Sequence, residues 1–399
     1  MKSKTRRLAV VLSHPTQYYS PWFRWLAGHA PVTPRVFYLW DFGIRPTNDP
    51  QFGRTVHWDV DLLSGYASEF VPNAARDPGT HHFLGLRNPT LSRRLEAWRP
   101  DALLIFGCAW SGPLQALRWA RRRGVPAVFR GDSHFLGRPA PGRFRGFPLR
   151  LIYRRFGAVT YVGQANRRYF EALGVPPERL FFAPHAVDDT RFQPASAAAR
   201  AAASGLRAGL RLGREVRVVL FAGKFTAKKQ PRALLDAFLD LAPDDAVLLF
   251  VGEGEERADL ERIARERCGR VHFLPFANQS EMPARYLAAD LFVLPSRGAH
   301  ESWGLAVNEA MHMGVPALVS DRVGCQEDLV TPGETGWVFR ADDPADLRSG
   351  LAQALREVAD PARREVLRSA VFRRILGYTY ARAGAGLLQA LDSLPEPAT

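Results

Sequence analysis

Short apolar runs, most without a polar interruption, recur along the chain at spacings that leave room for a helix between them. In the first half they are Leu8–Leu12, Arg35–Leu39, Ala102–Phe106, Ala127–Phe129, Ala158–Val162 and Leu180–Ala183. The second half repeats the design with Arg217–Ala222, Val247–Val251, Val271–Leu274, Leu291–Leu294 and Ala317–Ser320. A strand wetted on one face alternates apolar and polar positions, whereas an unbroken apolar run fits a strand covered on both faces. Helical stretches lie between the runs, among them Pro231–Leu241, Arg257–Glu266 and Gly304–Met313. Strand, helix, strand in alternation predicts an α/β protein with parallel, doubly wound sheets. The pattern pauses at "QPASAAARAAASGLRAGLRLGRE", Gln193–Glu215, which is Ala-rich, Gly-punctuated and without β character. The chain therefore divides into a first domain over 1–193, a linker over 194–213 and a second domain from 214.

Composition agrees with two cores, since 399 residues that are 46% hydrophobic exceed what one core usually organises. Charge is lopsided. Residues 1–200 carry 29 Lys and Arg against 13 Asp and Glu, a net of +16, and residues 201–399 carry 25 against 27, a net of −2. Such asymmetry suggests that one half faces something anionic, and anionic lipid attracts each nearby basic residue by ~1 kcal/mol. The triplet Arg121-Arg122-Arg123 alone reads as the solvated end of a helix. Cys108, Cys268 and Cys325 form no CxxC pair, which argues against zinc and disulfide frameworks and favours a reducing cytoplasm. The basic start is followed by an apolar run of about five residues, too short for a secretory signal. Nor does any apolar stretch approach the ~18 residues a spanning helix needs.

In doubly wound sheets ligands collect at the C-terminal ends of the strands, so the loops there hold the candidate chemistry. "FAGKFTAKKQP" sets Gly223, Lys224, Lys228 and Lys229 between a strand end and a helix opened by Pro231. A helix N-terminus already attracts anions, and lysines added there suit a phosphate; the Walker A spacing is absent. "VGEGEERADLERIA" places Gly252 and Gly254 after a strand but Arg257 where a third Gly would complete GxGxxG. "HESWGLAVNEAMHMGVPALVS" sets Glu301 in a loop and Glu309 eight positions on, inside the helix that Gly304 opens. An acid near a helix N-terminus can serve the dipole alone. Apolar company, however, leaves a carboxylate in need of donors, and vicinal sugar hydroxyls supply them.

The series "APHAVDDTRF", "FAGKFTAKKQP", "VGEGEERADLERIA", "PSRGAHESWGLAVNEAMHMGVPALVSDRVGCQEDLV" and "GETGWVF" resembles, over roughly residues 180–340, the C-terminal half of family 4 (group 1) glycosyltransferases. These are retaining enzymes of the GT-B fold, in which two Rossmann-like domains face each other across a cleft. The resemblance implies that Gly223, Lys224 and Lys229 meet the diphosphate of a UDP- or GDP-type nucleotide sugar. It implies that Glu301 holds the donor sugar beside the reacting face, and that Ser302, Trp303, Gly304 and Leu305 form the loop over sugar and phosphate. Glu309 would grip the ribose, while Gly254 and the Pro275-Phe276 turn would border the base. It further implies a second domain over 214–365, a C-terminal helix over 366–399 crossing back to the first domain, and no cofactor or metal.

The first domain is then the acceptor side. Its opening, "HPTQYYSPWFRWLA", resembles a bacterial subgroup with an HPxQY-type start and makes His14, Gln17 and Tyr18 candidates for acceptor or phosphate contact. Tyr18, Tyr19, Trp22 and Trp25 can equally be an aromatic loop packed on a helix. "VPAVFRGDSHFLG" offers Asp132 and His134 as alternatives for the acceptor-side catalytic group. Asp59-Val60-Asp61 spells DxD but sits far from the phosphate loops, so no metal role is expected of it. The expected activity is transfer of a sugar to a glycan or lipid-linked acceptor hydroxyl in bacterial cell-surface synthesis. The protein would be cytoplasmic, with the basic half against an anionic membrane surface and no nucleic-acid partner. A donor-cleaving epimerase or hydrolase of the same fold, and a basic nucleic-acid-binding protein, are the competing readings; the second leaves Glu301 and Glu309 unexplained.

Overall fold

A computed structural model describes residues 5–44, 58–140, 142, 146–267, 270–298 and 301–395, and the backbone alone of 47–49 and 54–56. Cys268 lies outside the described residues. The first sheet is built from β1 (Arg6–Leu12), β2 (Val32–Tyr38), β5 (Ala67–Phe70), β6 (Ala102–Phe106), β7 (Ala127–Arg130), β8 (Ala158–Tyr161) and β9 (Leu180–Phe182). A small hairpin, β3 (Thr47–Asp49) with β4 (Arg54–Val56), stands apart from it. The second sheet holds β10 (Arg217–Ala222), β11 (Ala246–Val251), β12 (Val271–Leu274), β13 (Leu291–Leu294), β14 (Ala317–Ser320) and β15 (Gly336–Phe339).

All pairings in the two large sheets are parallel, in the orders β5-β2-β1-β6-β7-β8-β9 and β12-β11-β10-β13-β14-β15. Every residue of β6, β11, β13 and β14 is buried, as their unbroken apolar sequences require. Strand order reverses beside β1 and β6 in one sheet and beside β10 and β13 in the other. Those reversals open crevices, and the loops leaving β10 and β13 carry Lys224, Lys229, Glu301 and Gly304. Strands β5 and β15 escape the sequence pattern because both are short edge strands, and the "ASEF" of β5 is only half-buried.

Two corrections concern the expected domain joints. The stretch 194–213 is not a free linker. Ser196 caps a helix over Ala197–Gly209, accepting the Ala199 N–H at 3.3 Å, and Ala203 packs with Ala284 and Ala288 of the second domain. Small apolar side chains at helical spacing found a surface to cover. The C-terminal 366–399 region is likewise two elements. Helix Pro361–Ile375, capped by Asp360, stays with the second domain against helices Leu305–His312 and Pro344–Ala359. Only helix Tyr380–Asp392, capped by Thr379, packs on β8 and β9 of the first domain. One apolar cluster joins Val162, Val187 and Phe192 to Val218, Leu294 and Val307, so the cores of the two domains are continuous.

Candidate functional site

Between the C-terminal edges of the sheets lies a cavity of about 330 Å³. Its wall includes thirteen residues assigned a role from the sequence: Gln17, Tyr18, Asp132, Gly223, Lys224, Lys229, Phe276, Ser302, Trp303, Gly304, Leu305, Glu301 and Glu309. Gly254, His14, His134, Lys228 and Pro275 do not line it.

Glu301 is tied down before any ligand arrives. Lys229 Nζ makes an ion pair with its Oε2, and the Ser296 hydroxyl donates to the same oxygen at 2.7 Å. Gly304 explains how the next turn is made. Its φ of +99° suits glycine, and a Cβ there would stand 2.9 Å from Val323 Cγ1 and 3.0 Å from Leu294 Cδ2. With Gly304 as N-cap, helix Leu305–His312 starts abruptly and points its N-terminus along the cavity wall. Within that helix Glu309 is only 3% exposed. Tyr286 donates to its Oε2 at 2.7 Å and Tyr18 to its Oε1 at 3.1 Å. Burial pushes the Glu309 carboxyl up, and the two tyrosine hydroxyls pull it back without cancelling that rise.

On the opposite wall Asp132 Oδ2 accepts the Ser302 hydroxyl at 2.7 Å and lies 3.3 Å from His185 Nε2. Burial would raise this carboxyl, but His185 and Ser302 outweigh it and hold Asp132 down at about 2. Burial also lowers His185, which therefore favours its neutral form. Arg130, buried behind them, donates to the carbonyls of Ala183 (2.8 Å) and Pro184 (3.3 Å) and so places the His185 loop; its guanidinium sits 4.9 Å from the Trp22 ring. Asn308 completes the circuit, accepting Trp303 Nε1–H at 2.7 Å and donating to the His185 carbonyl at 3.3 Å.

His134 is engaged elsewhere. Its Nδ1 accepts the Leu136 N–H at 3.1 Å, which leaves Nε2–H to donate to the Glu301 carbonyl at 3.1 Å. It fastens the Glu301 loop to the first domain and turns no ring nitrogen to the cavity. His14 packs edge-on against Trp40 and Phe42, and burial drops it to about 4. Gly254 does not line the cavity, and a Cβ there would come within 2.4 Å of the Phe225 carbonyl oxygen; Gly252 is the glycine of this turn that lines it. Of the DxD pair, Asp59 accepts the Ser280 N–H at 3.2 Å and Asp61 accepts those of Leu63 and Ser64 at 3.0 Å. Among the described residues, the His, Cys, Asp and Glu group close enough to hold a metal is the exposed set Asp77, His81 and His82, outside this cavity. The sequence reading did not single out His185, Tyr286 or Arg130; "APHAVDDTRF" contained His185, but nothing local marked it as facing Asp132.

The arrangement can take an elongated anion that also carries hydroxyls. Cations and a helix N-terminus gather at one end, and carboxylates stand at either side. The family described as "Glycosyl transferases group 1" matches residues 206–370, and "Glycosyl transferase 4-like domain" matches residues 66–186. A D-inositol 3-phosphate glycosyltransferase of Nocardia farcinica is 31% identical over 59% of this chain; the match spans 52% of the relative, about half its length. A GDP-mannose-dependent alpha-(1-6)-phosphatidylinositol monomannoside mannosyltransferase of Mycobacterium tuberculosis is 32% identical, covering 74% of this chain and 76% of the relative. In three dimensions, Anabaena HepE in complex with UDP and glucose aligns over 98% of this chain and all of its own, with a TM-score of 0.70 at 17% identity. That likeness identifies the two facing sheets as the GT-B fold. The chain belongs to the group 1 glycosyl transferases.

Proposed function

We propose that the protein is a retaining glycosyltransferase that moves a sugar from a nucleoside-diphosphate sugar to an acceptor hydroxyl. The observation that carries this reading is the convergence of Lys224, Lys229, Glu301, Glu309 and the Gly304 helix end on one cavity. The donor would lie along it with its diphosphate at the lysines, its sugar at Glu301 and its ribose at Glu309. Because Lys229 and Glu301 are paired, the donor must part them; phosphate takes the cation and sugar hydroxyls take the carboxylate. As the glycosidic bond breaks, negative charge grows on the departing diphosphate, where on this proposal both lysines and the helix N-terminus would meet it. That fixed positive potential does what a metal would do, so the reaction is proposed to need none.

Asp132, held at about 2, is too weak a base to strip an alcohol. Its role in this scheme is to accept a hydrogen bond from the incoming hydroxyl and aim it. The proton then passes to the departing phosphate oxygen on the same face, which preserves anomeric configuration. Closure of the two domains keeps water from intercepting the sugar. The acceptor is proposed to be a glycan or glycolipid of the bacterial cell surface, as the phosphatidylinositol-mannoside relative suggests. The net charge of +16 on residues 1–200 is proposed to seat the protein peripherally on anionic lipid at the cytoplasmic face of the membrane. Among the described residues no helix is long and apolar enough to cross a membrane.

Mass spectrometry of reactions containing a panel of nucleotide sugars and membrane extract tests the proposal. Expected is a glycosylated lipid or glycan, formed in the presence of EDTA and dependent on one donor. Full-rate cleavage of donor without acceptor would point to the epimerase or hydrolase, and product lost on chelation would overturn the metal-free scheme.

A further inference from the structure

Tyr18 belongs to the first domain, yet its hydroxyl is spent on the second. It donates to Glu309 Oε1 at 3.1 Å while Tyr286, from the same domain as Glu309, donates to Oε2 at 2.7 Å. Its ring packs against the apolar cluster of the second sheet, and its carbonyl accepts the Tyr380 hydroxyl at 3.1 Å. Tyr18 is therefore fixed from both ends. Burial, with the Glu309 charge next, pushes the phenol well above its ordinary range, so it remains a donor at any working pH. The acid proposed to hold the ribose thus already has a partner on each oxygen.

We propose that Tyr18 is a positioning residue on the donor side: its hydroxyl holds Glu309 in place until a nucleotide binds, then yields Oε1 to one ribose hydroxyl. This inference rests on the donor reading above and refines it. A buried carboxylate left with an unmet oxygen is costly, so the Tyr18 hydrogen bond orients Glu309. The same bond competes with the ribose, and the competition ties occupancy of the ribose site to the seating of the first domain. It also makes the cleft selective. A ribose that can replace the Tyr18 bond loses nothing in the exchange. A deoxyribose lacking that hydroxyl must leave the bond to Tyr18 or strand the carboxylate. On this proposal Tyr18, expected from the sequence to contact acceptor or phosphate, serves the ribose end of the donor.

Isothermal titration of UDP, GDP and their 2′- and 3′-deoxy counterparts into wild type, Tyr18→Phe and Tyr380→Phe tests this. In Tyr18→Phe one donor to Glu309 is gone, the ring remains, and Tyr286 and Gln279 still meet the carboxylate. The preferred ribonucleoside diphosphate should bind about threefold to tenfold more tightly, and the analogue lacking the competing hydroxyl should show no gain. Tyr380→Phe, which frees the Tyr18 carbonyl, should shift affinity in the same direction by less. Equal changes for ribo- and deoxynucleotides, or unchanged or weaker binding in Tyr18→Phe, would overturn the inference while leaving the donor reading intact. A wild type that binds none of these nucleotides would overturn both.

Discussion

Two carboxylates share one cleft but ask different things of a ligand. Glu301 holds a cation and a hydroxyl, Lys229 and Ser296, on a single oxygen; Glu309 holds two neutral phenols, one on each. The first must trade a salt bridge for sugar hydroxyls, and the second trades one hydroxyl for another. Glu301→Gln keeps the shape while removing the charge that balances Lys229. Hydrogen bonds to charged groups contribute roughly 1.5–3 kcal/mol each, so loss of one or two should lower kcat/KM by about tenfold or more in steady-state assays. Near-normal turnover would remove Glu301 from the donor site. This residue was legible in the sequence because its loop, the glycine after it and the second acid form one contiguous string. His185 and Tyr286 were not. Each matters through a partner far along the chain, Asp132 and Glu309 respectively, and spacing says nothing about such pairs until the sheets stack.

At the level of elements, the site depends on how sharply helix Leu305–His312 begins. Gly304 has a φ of +99° and no room for a methyl group, so Gly304→Ala should cost about 1–3 kcal/mol and lower the thermal midpoint by several degrees. Because the helix N-terminus would also shift, nucleoside-diphosphate affinity should fall in the folded variant. Calorimetry beside a thermal melt separates the two effects, and unchanged values in both would contradict the role given to this turn. Buried strands such as β6, β13 and β14 were read to the residue, because parallel strands covered on both faces must be apolar throughout. The edge strand β5 lacked that signature. The Ala197–Gly209 helix was read as a linker because alanine-rich sequence with glycines lacks β character and reveals no partner surface until Ala284 and Ala288 are beside it.

For the whole molecule, the two domains meet through hydrogen bonds as well as through the shared core. Asp328 of the second domain accepts the Gln164 N–H of the first at 2.9 Å, on Oδ2, and also the Tyr378 hydroxyl. Burial raises its carboxyl from 3.8 to about 6, with the Gln164 N–H acting to lower it. Between those values the folded protein holds a proton that the unfolded chain has released. Its contribution is therefore complete below about pH 4 and is lost as pH rises through about 6, on the order of 3 kcal/mol. Asp328→Asn should abolish that part of the pH dependence. The difference in thermal midpoint between wild type and variant should thus change from pH 4.5 to pH 7, and a constant difference would contradict it. The central claim is simpler, that the cleft clamps a nucleoside diphosphate between Lys229 and Glu309. Titration calorimetry of UDP and GDP against wild type, Lys229→Ala and Glu309→Gln tests it directly. The account predicts saturable one-site binding of one of them to wild type and affinity weakened about tenfold or more in each variant. No heat of binding from either nucleotide, or equal affinity in all three proteins, would contradict it.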